Sequence, residues 1–196
     1  MTEVVLFHHV QGLTDGVRAF ADGLAAAGHR VHTPDLFDGR VFASIEEGFA
    51  FTKSVGAEEL DRRADAALDG LPVELVYAGF SFGVAQAQRF AQTRPGARGA
   101  LLYDACFPVT GEWAFGPWPE GVPVQVHGMD RDEYFALEGD LAAARELLEL
   151  VGPEWVEVFV YPGDQHLFAD SSLPSYDRQA TELVVARSIG LLDRVA

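Results

Sequence analysis

The 196-residue sequence predicts an α/β fold, a mostly parallel central sheet of about six or seven strands with helices on both faces. Two observations carry that prediction. Short, continuously apolar runs such as Val4-Val5-Leu6-Phe7 read as strands buried on both faces, as parallel sheets require. Between such runs lie segments with apolar residues at helical spacing, so strands and helices alternate along the whole chain.

Taken in order, Val4–Phe7 opens the sheet and Gly12-Leu13-Thr14-Asp15-Gly16 turns the chain. Val17, Phe20, Leu24 and Ala27 share one face of a helix over 17–27, which Gly28 closes as a C-cap. Arg30–Thr33 is a weak second strand, stopped by Pro34. After a loop over 34–43, Ser44-Ile45-Glu46-Glu47 forms a capping box that opens a helix. A further helix over about 57–69 ends at Gly70. Val73–Ala78 is the third strand, and the helix that follows, Phe82–Arg94, ends at Pro95-Gly96. Gly99–Asp104 is the fourth strand. Residues 107–121, rich in Pro, Gly and Trp, form a long irregular loop. Val122–His127 is the fifth strand, 133–151 is helical, Trp155–Tyr161 is the sixth strand, and 175–194 is the last helix. No repeat, low-complexity tract or linker interrupts the pattern, so residues 1–196 read as a single domain.

Composition excludes several classes. Lys and Arg total 14 against 30 Asp and Glu, a net charge of −16. Such a chain is repelled by phosphate backbones and anionic membrane surfaces, so neither nucleic acid nor membrane is expected as a partner. The one cysteine, Cys106, allows no internal disulfide or multi-Cys zinc site and reads as a small core residue. No group of His, Asp and Glu has metal-ligand spacing, and no metal or cofactor is expected. The opening residues lack the regions of a signal peptide and no run approaches 18 apolar residues, so the expected compartment is cytoplasmic. A monomer and a homodimer are both compatible with the sequence.

The sharpest motif is Gly79-Phe80-Ser81-Phe82-Gly83, placed between a strand and a helix. This is the setting of a nucleophile elbow, in which flanking glycines permit a sharp turn that lifts a serine hydroxyl above the sheet edge. Such a serine needs a base and an orienting acid downstream, in the order Ser, Asp/Glu, His. His166 lies directly after the sixth strand and fits the base. His127, in or at the end of the fifth strand, fits a packed structural role better. After that strand Asp130, Asp132 and Glu133 compete as the acid, and spacing does not choose between them. Trp113, Phe115 and Trp118 either wall an apolar pocket or anchor the long loop. His8 and His9 adjoin the expected site on opposite strand faces. His9 is a candidate substrate contact or a structural histidine, and Asp35 and Arg40 are expected to pair or cap locally.

The chain resembles the dienelactone hydrolase family of α/β-hydrolases along nearly its whole length. The resemblance runs through His9-Val10-Gln11-Gly12, Thr33 to Arg40, Gly79 to Gly83, His127 to Asp132 and Tyr161 to Phe168. It implies an α/β-hydrolase-like fold and a hydrolase of esters, lactones or similar small acyl substrates, with Ser81 as nucleophile and His166 as base. It implies Asp132 as the acid, with Asp130 second, and an oxyanion hole formed by the backbone N–H groups of Val10 and Phe82. Three positions depart from the family pattern. Ser81 replaces a cysteine, His9 replaces a glutamate, and Asp170 replaces an arginine that helps hold a substrate carboxylate. Together with the net charge, Asp170 implies a preference for neutral or cationic substrates. The alternatives are a non-catalytic small-molecule-binding protein on this scaffold, or an acyltransferase or thioesterase.

Overall fold

The structure, a computed structural model, describes residues 1–196. Six strands form one sheet in the order β2-β1-β3-β4-β5-β6, and every neighbouring pair is parallel. They are β1 (Glu3–Phe7), β2 (Arg30–His32), β3 (Leu75–Phe80), β4 (Ala97–Tyr103), β5 (Val124–Met129) and β6 (Val156–Tyr161). The helices are α1 (Asp15–Ala26), α2 (Ile45–Val55), α3 (Ala57–Ala66), α4 (Phe82–Thr93), α5 (Asp140–Val151) and α6 (Arg178–Arg194). None is long and apolar enough to cross a membrane.

Strand alternation sorts the core into two layers. Val5, Phe7, Leu75, Tyr77, Ala100 and Leu102 pack under α3, α4 and α5. Their neighbours Val4, Leu6, Val76, Ala78, Leu101 and Tyr103 pack under α1 and α6. Cys106 is buried in the first layer, as expected. Local caps set the helix starts. Thr14 caps α1, Asp177 caps α6, and Ser44 accepts the Glu47 N–H while Glu47 reaches back to the Ala43 N–H.

Three of the differences from the sequence expectation bear on the carboxyl edge of the sheet. β3 and β5 both run two residues further than expected. Gly79 and Phe80 pair with Leu102 and Tyr103 of β4, so the strand delivers the chain directly to Ser81. Gly128 and Met129 pair with Val160 and Tyr161 of β6, which places His127 inside β5. The expected helix over 133–151 is broken into a π-helical turn, Glu133–Leu137, and α5. Gly139 separates them with φ +120°, a conformation that an L side chain rarely adopts.

Candidate active site at the carboxyl edge of the sheet

Ser81 sits between β3 and α4 with φ +46° and ψ −111°, outside the ordinary regions for an L-residue. The turn is fixed on both sides. The Ser81 N–H donates to the Tyr103 carbonyl at 2.7 Å, and the Ser81 carbonyl accepts from Val84 N–H at 2.8 Å. A Cβ on Gly79 would stand 2.4 Å from the Gly83 carbonyl oxygen. One on Gly83 would stand 2.5 Å from the Phe7 oxygen and 2.6 Å from the His8 oxygen. Both glycines are therefore demanded by backbone contact, which is why the motif is legible.

Three expected residues meet here. The Ser81 hydroxyl lies 2.8 Å from His166 Nε2, and His166 Nδ1 lies 2.7 Å from Asp132 Oδ2. A carboxylate can only accept, so Nδ1 carries the proton and Nε2 is left to accept from the serine. Asp132 is fully buried, and its second oxygen accepts the Tyr134 N–H at 2.9 Å. The ring of Tyr134 packs on the imidazole at 4.7 Å between centroids. Burial alone would lower the His166 pKa. The hydrogen bond to Asp132 and the negative charges of Asp104, Asp132 and Asp140 outweigh it and raise the pKa above 6.5. Asp130 is exposed and accepts the Gly163 N–H at 2.9 Å, so it pins the β6 loop instead of touching the histidine.

Val10 lies in the turn after β1, the strand that pairs with β3. Its N–H has no intramolecular partner, and its carbonyl presses on α2 so closely that a Cβ on Gly48 would lie 2.1 Å away. Phe82 opens α4, where first-turn N–H groups have no partner within the helix. Phe82 also borders an aromatic cluster with Phe37, Phe42 and Phe51, ring centroids 5.1–6.1 Å apart, which gives the site an apolar flank.

Several expectations are corrected. Asp170 does not face the site as a free charge. It is 2% exposed and accepts hydrogen bonds from His9, Thr14 and Ser172, so its carboxylate is committed to those groups. His9 is fully buried, with Nε2 at 2.7 Å from Asp170 and Nδ1 accepting the Gln11 N–H at 3.2 Å. Both ring nitrogens are occupied, so it braces the turn after β1 instead of offering a group to substrate. Trp118 is buried in the core, its indole N–H on the Val122 carbonyl at 2.8 Å, and anchors the long loop. Trp113 in the same loop is 77% exposed. Asp35 caps Phe37 and Gly39 as expected, but Arg40 lies over the Phe51 ring and not on Asp35. His127 is packed and structural. Burial pushes its pKa down to about 3, with Arg187 adding to the effect.

Sequence reasoning passed over Asp104, Tyr134 and Asp140, all of which bear on His166. Asp104 carries a usable signal, because it directly follows a strand at the edge where such sheets place function.

The family model of the dienelactone hydrolase family matches residues 1–196. No curated protein matches the sequence. Among solved structures, a dienelactone hydrolase-like promiscuous phosphotriesterase from metagenomic libraries is similar with a TM-score of 0.75 at 21% identity, over 100% of this chain and 87% of that one. A protein from Thermus thermophilus is similar with a TM-score of 0.66 at 18% identity, over 99% and 88% of the two chains. Esterase 2 of Thermogutta terrifontis, solved phosphoramylated by tabun, is similar with a TM-score of 0.65 at 17% identity, over 100% and 83%. At these identities the likeness establishes the α/β-hydrolase fold.

Proposed function

Because the chain belongs to the dienelactone hydrolase family, we propose that it is a serine hydrolase of small esters, lactones or similar acyl compounds, acting through an acyl-enzyme on Ser81. The observation that carries this reading is the hydrogen-bond chain from Asp132 through His166 to Ser81 at the elbow. Ser81 Oγ attacks the carbonyl carbon while His166 Nε2 takes its proton. Asp132 holds the tautomer that leaves Nε2 free and stabilises the imidazolium. The oxyanion is bound by the N–H groups of Val10 and Phe82, each contributing about 3 kcal/mol to lowering the barrier. His166 then gives its proton to the leaving alcohol, and water releases the acid by the reverse sequence. The aromatic flank beside Phe82 favours an apolar acyl group.

The test compares turnover of a panel of aryl esters and lactones by the wild type and by Ser81→Ala. Turnover is expected to be lost in the variant, and equal rates would overturn the assignment. A fluorophosphonate probe separates this reading from a non-catalytic binding protein, since only an activated Ser81 is labelled.

A further inference from the structure

A carboxylate that the proposed triad does not use stands next to the elbow's anchor: Asp104 directly follows Tyr103, whose carbonyl accepts the Ser81 N–H. Asp104 follows β4 at the carboxyl edge, 1% exposed, with φ +60°. Its N–H donates to the His127 carbonyl of β5 at 2.7 Å, which fixes the residue in place. Neither carboxylate oxygen has a hydrogen-bond partner at ordinary distance. A buried, unpartnered carboxylate on a strained backbone is costly and persists where the surroundings use it.

The groups around it are polar and come from every neighbouring element. On the β6 loop, the His166 imidazole and the Leu167 N–H favour its ionised form, whereas the Asp132 charge on the β5 loop opposes it. Tyr161 of β6 feels its charge, and the Arg187 guanidinium of α6 lies over that tyrosine's ring, 5.2 Å from its centroid. Asp140 at the start of α5 adds a further negative charge on the imidazole. Burial is the largest influence on Asp104 and pushes its pKa up to about 7. Leu167 is itself left-handed, at φ +59°.

We propose that Asp104 is a positioning residue for His166: its negative charge stabilises the protonated imidazole. Asp132 holds the ring by a direct hydrogen bond, and Asp104 acts through space. The proton taken from Ser81 goes to His166 Nε2 and then to the leaving group, and Asp104 takes no share of it. The catalytic part of the proposal rests on His166 being the base, but the electrostatic part does not.

The test is therefore built on His166 itself. Its imidazole is titrated by NMR in the wild type, Asp104→Asn and Asp104→Gly, since Asn and Gly both tolerate a positive φ. Removing an anion destabilises the imidazolium, so the midpoint is expected to move toward acid in both variants. The acid limb of kcat/KM follows it, kcat falls several-fold and KM is unchanged. A midpoint that stays in place in a folded variant overturns the proposal, as does failure of both variants to fold, which would make Asp104 a folding residue. The titration needs no turnover, so absence of hydrolysis in the wild type would count against the proposed function and leave this result readable.

Discussion

Replacing Asp170 by Asn removes the charge at the centre of the polar cluster that joins the turn after β1 to the loop after β6, while nearly preserving its shape. Asp170 accepts from His9 Nε2 at 2.7 Å, from the Ser172 N–H at 2.8 Å, from the Ser172 hydroxyl at 2.6 Å, and from the Thr14 hydroxyl. Burial alone would raise its pKa, but these bonds from His9, Ser172 and Thr14 hold it at about 2, below the ordinary 3.8. A gap close to two pH units, at about 1.36 kcal/mol per unit, is worth about 2 kcal/mol of folding stability. The folded pKa is depressed, so this contribution is present in full above the unfolded value and is lost as pH falls from about 5 to about 2. With these two pKa values, roughly half of it remains at pH 3.

Asn keeps one acceptor oxygen and turns an NH2 group toward donors, so the total loss at pH 7 is expected to be about 2–4 kcal/mol. Urea unfolding reads this as a midpoint shift of about 1–2 M, for a slope of about 2 kcal/mol/M that the substitution leaves unchanged. Repeating the measurement at pH 5, 4 and 3 should show the gap between the two proteins narrowing toward acid. An unchanged midpoint at pH 7, or a gap as wide at pH 3 as at pH 7, would refute the assignment of Asp170 as the ionised hub of this cluster.

Other outcomes follow from the same geometry. Asp132→Asn should lower kcat by about four orders of magnitude through the wrong histidine tautomer, whereas Asp130→Asn, whose side chain meets the Gly163 N–H and Arg131 but not His166, should change it little; steady-state kinetics on one ester decides between them. The His166 pKa is raised, so the neutral base is lost earlier on acidification, and the acid limb of kcat/KM should have its midpoint above pH 6.5. Gly83→Ala would drive a methyl against the Phe7 and His8 carbonyl oxygens, so β1 and α4 must separate; thermal unfolding should show a loss of about 1–3 kcal/mol or more, together with reduced turnover.

The parts of this molecule that were legible in the sequence are those governed by local rules. Short continuous apolar runs, turns and caps located six strands along the chain, though not their order in the sheet. The elbow was legible because Gly79 and Gly83 are required by contacts within a few residues or with the adjacent strand. His166 was legible from its place after a strand. Choosing Asp132 over Asp130 required the family resemblance, because burial separates these acids and burial is tertiary. Asp170 was misread for the same reason. Four residues beyond His166 it shares that loop, but Leu167 at φ +59° is followed by a chain path that carries Asp170 onto α1 and His9, a partner 161 positions away. Trp113 and Trp118 show the limit from another side, since two tryptophans five apart in one loop end up exposed and buried.

Two histidine–carboxylate pairs stand at this sheet edge, His9 with Asp170 and His166 with Asp132, each closed at 2.7 Å. Their carboxylates are buried alike, so neither the pairing nor the burial makes one of them reactive. The difference lies at the far nitrogen. In His9 that nitrogen accepts a backbone N–H, from Gln11, whose proton is not given up at any ordinary pH. The pair can only hold the turn that carries Val10 in place. In His166 the far nitrogen faces the Ser81 hydroxyl, whose proton can leave as the oxygen forms a bond to carbon. A strained elbow keeps that hydroxyl in line, and a neighbouring set of carboxylates favours the positive imidazole that results. The same two side chains thus brace the loop at one site and are poised to transfer a proton at the other, according to the group presented to the second nitrogen.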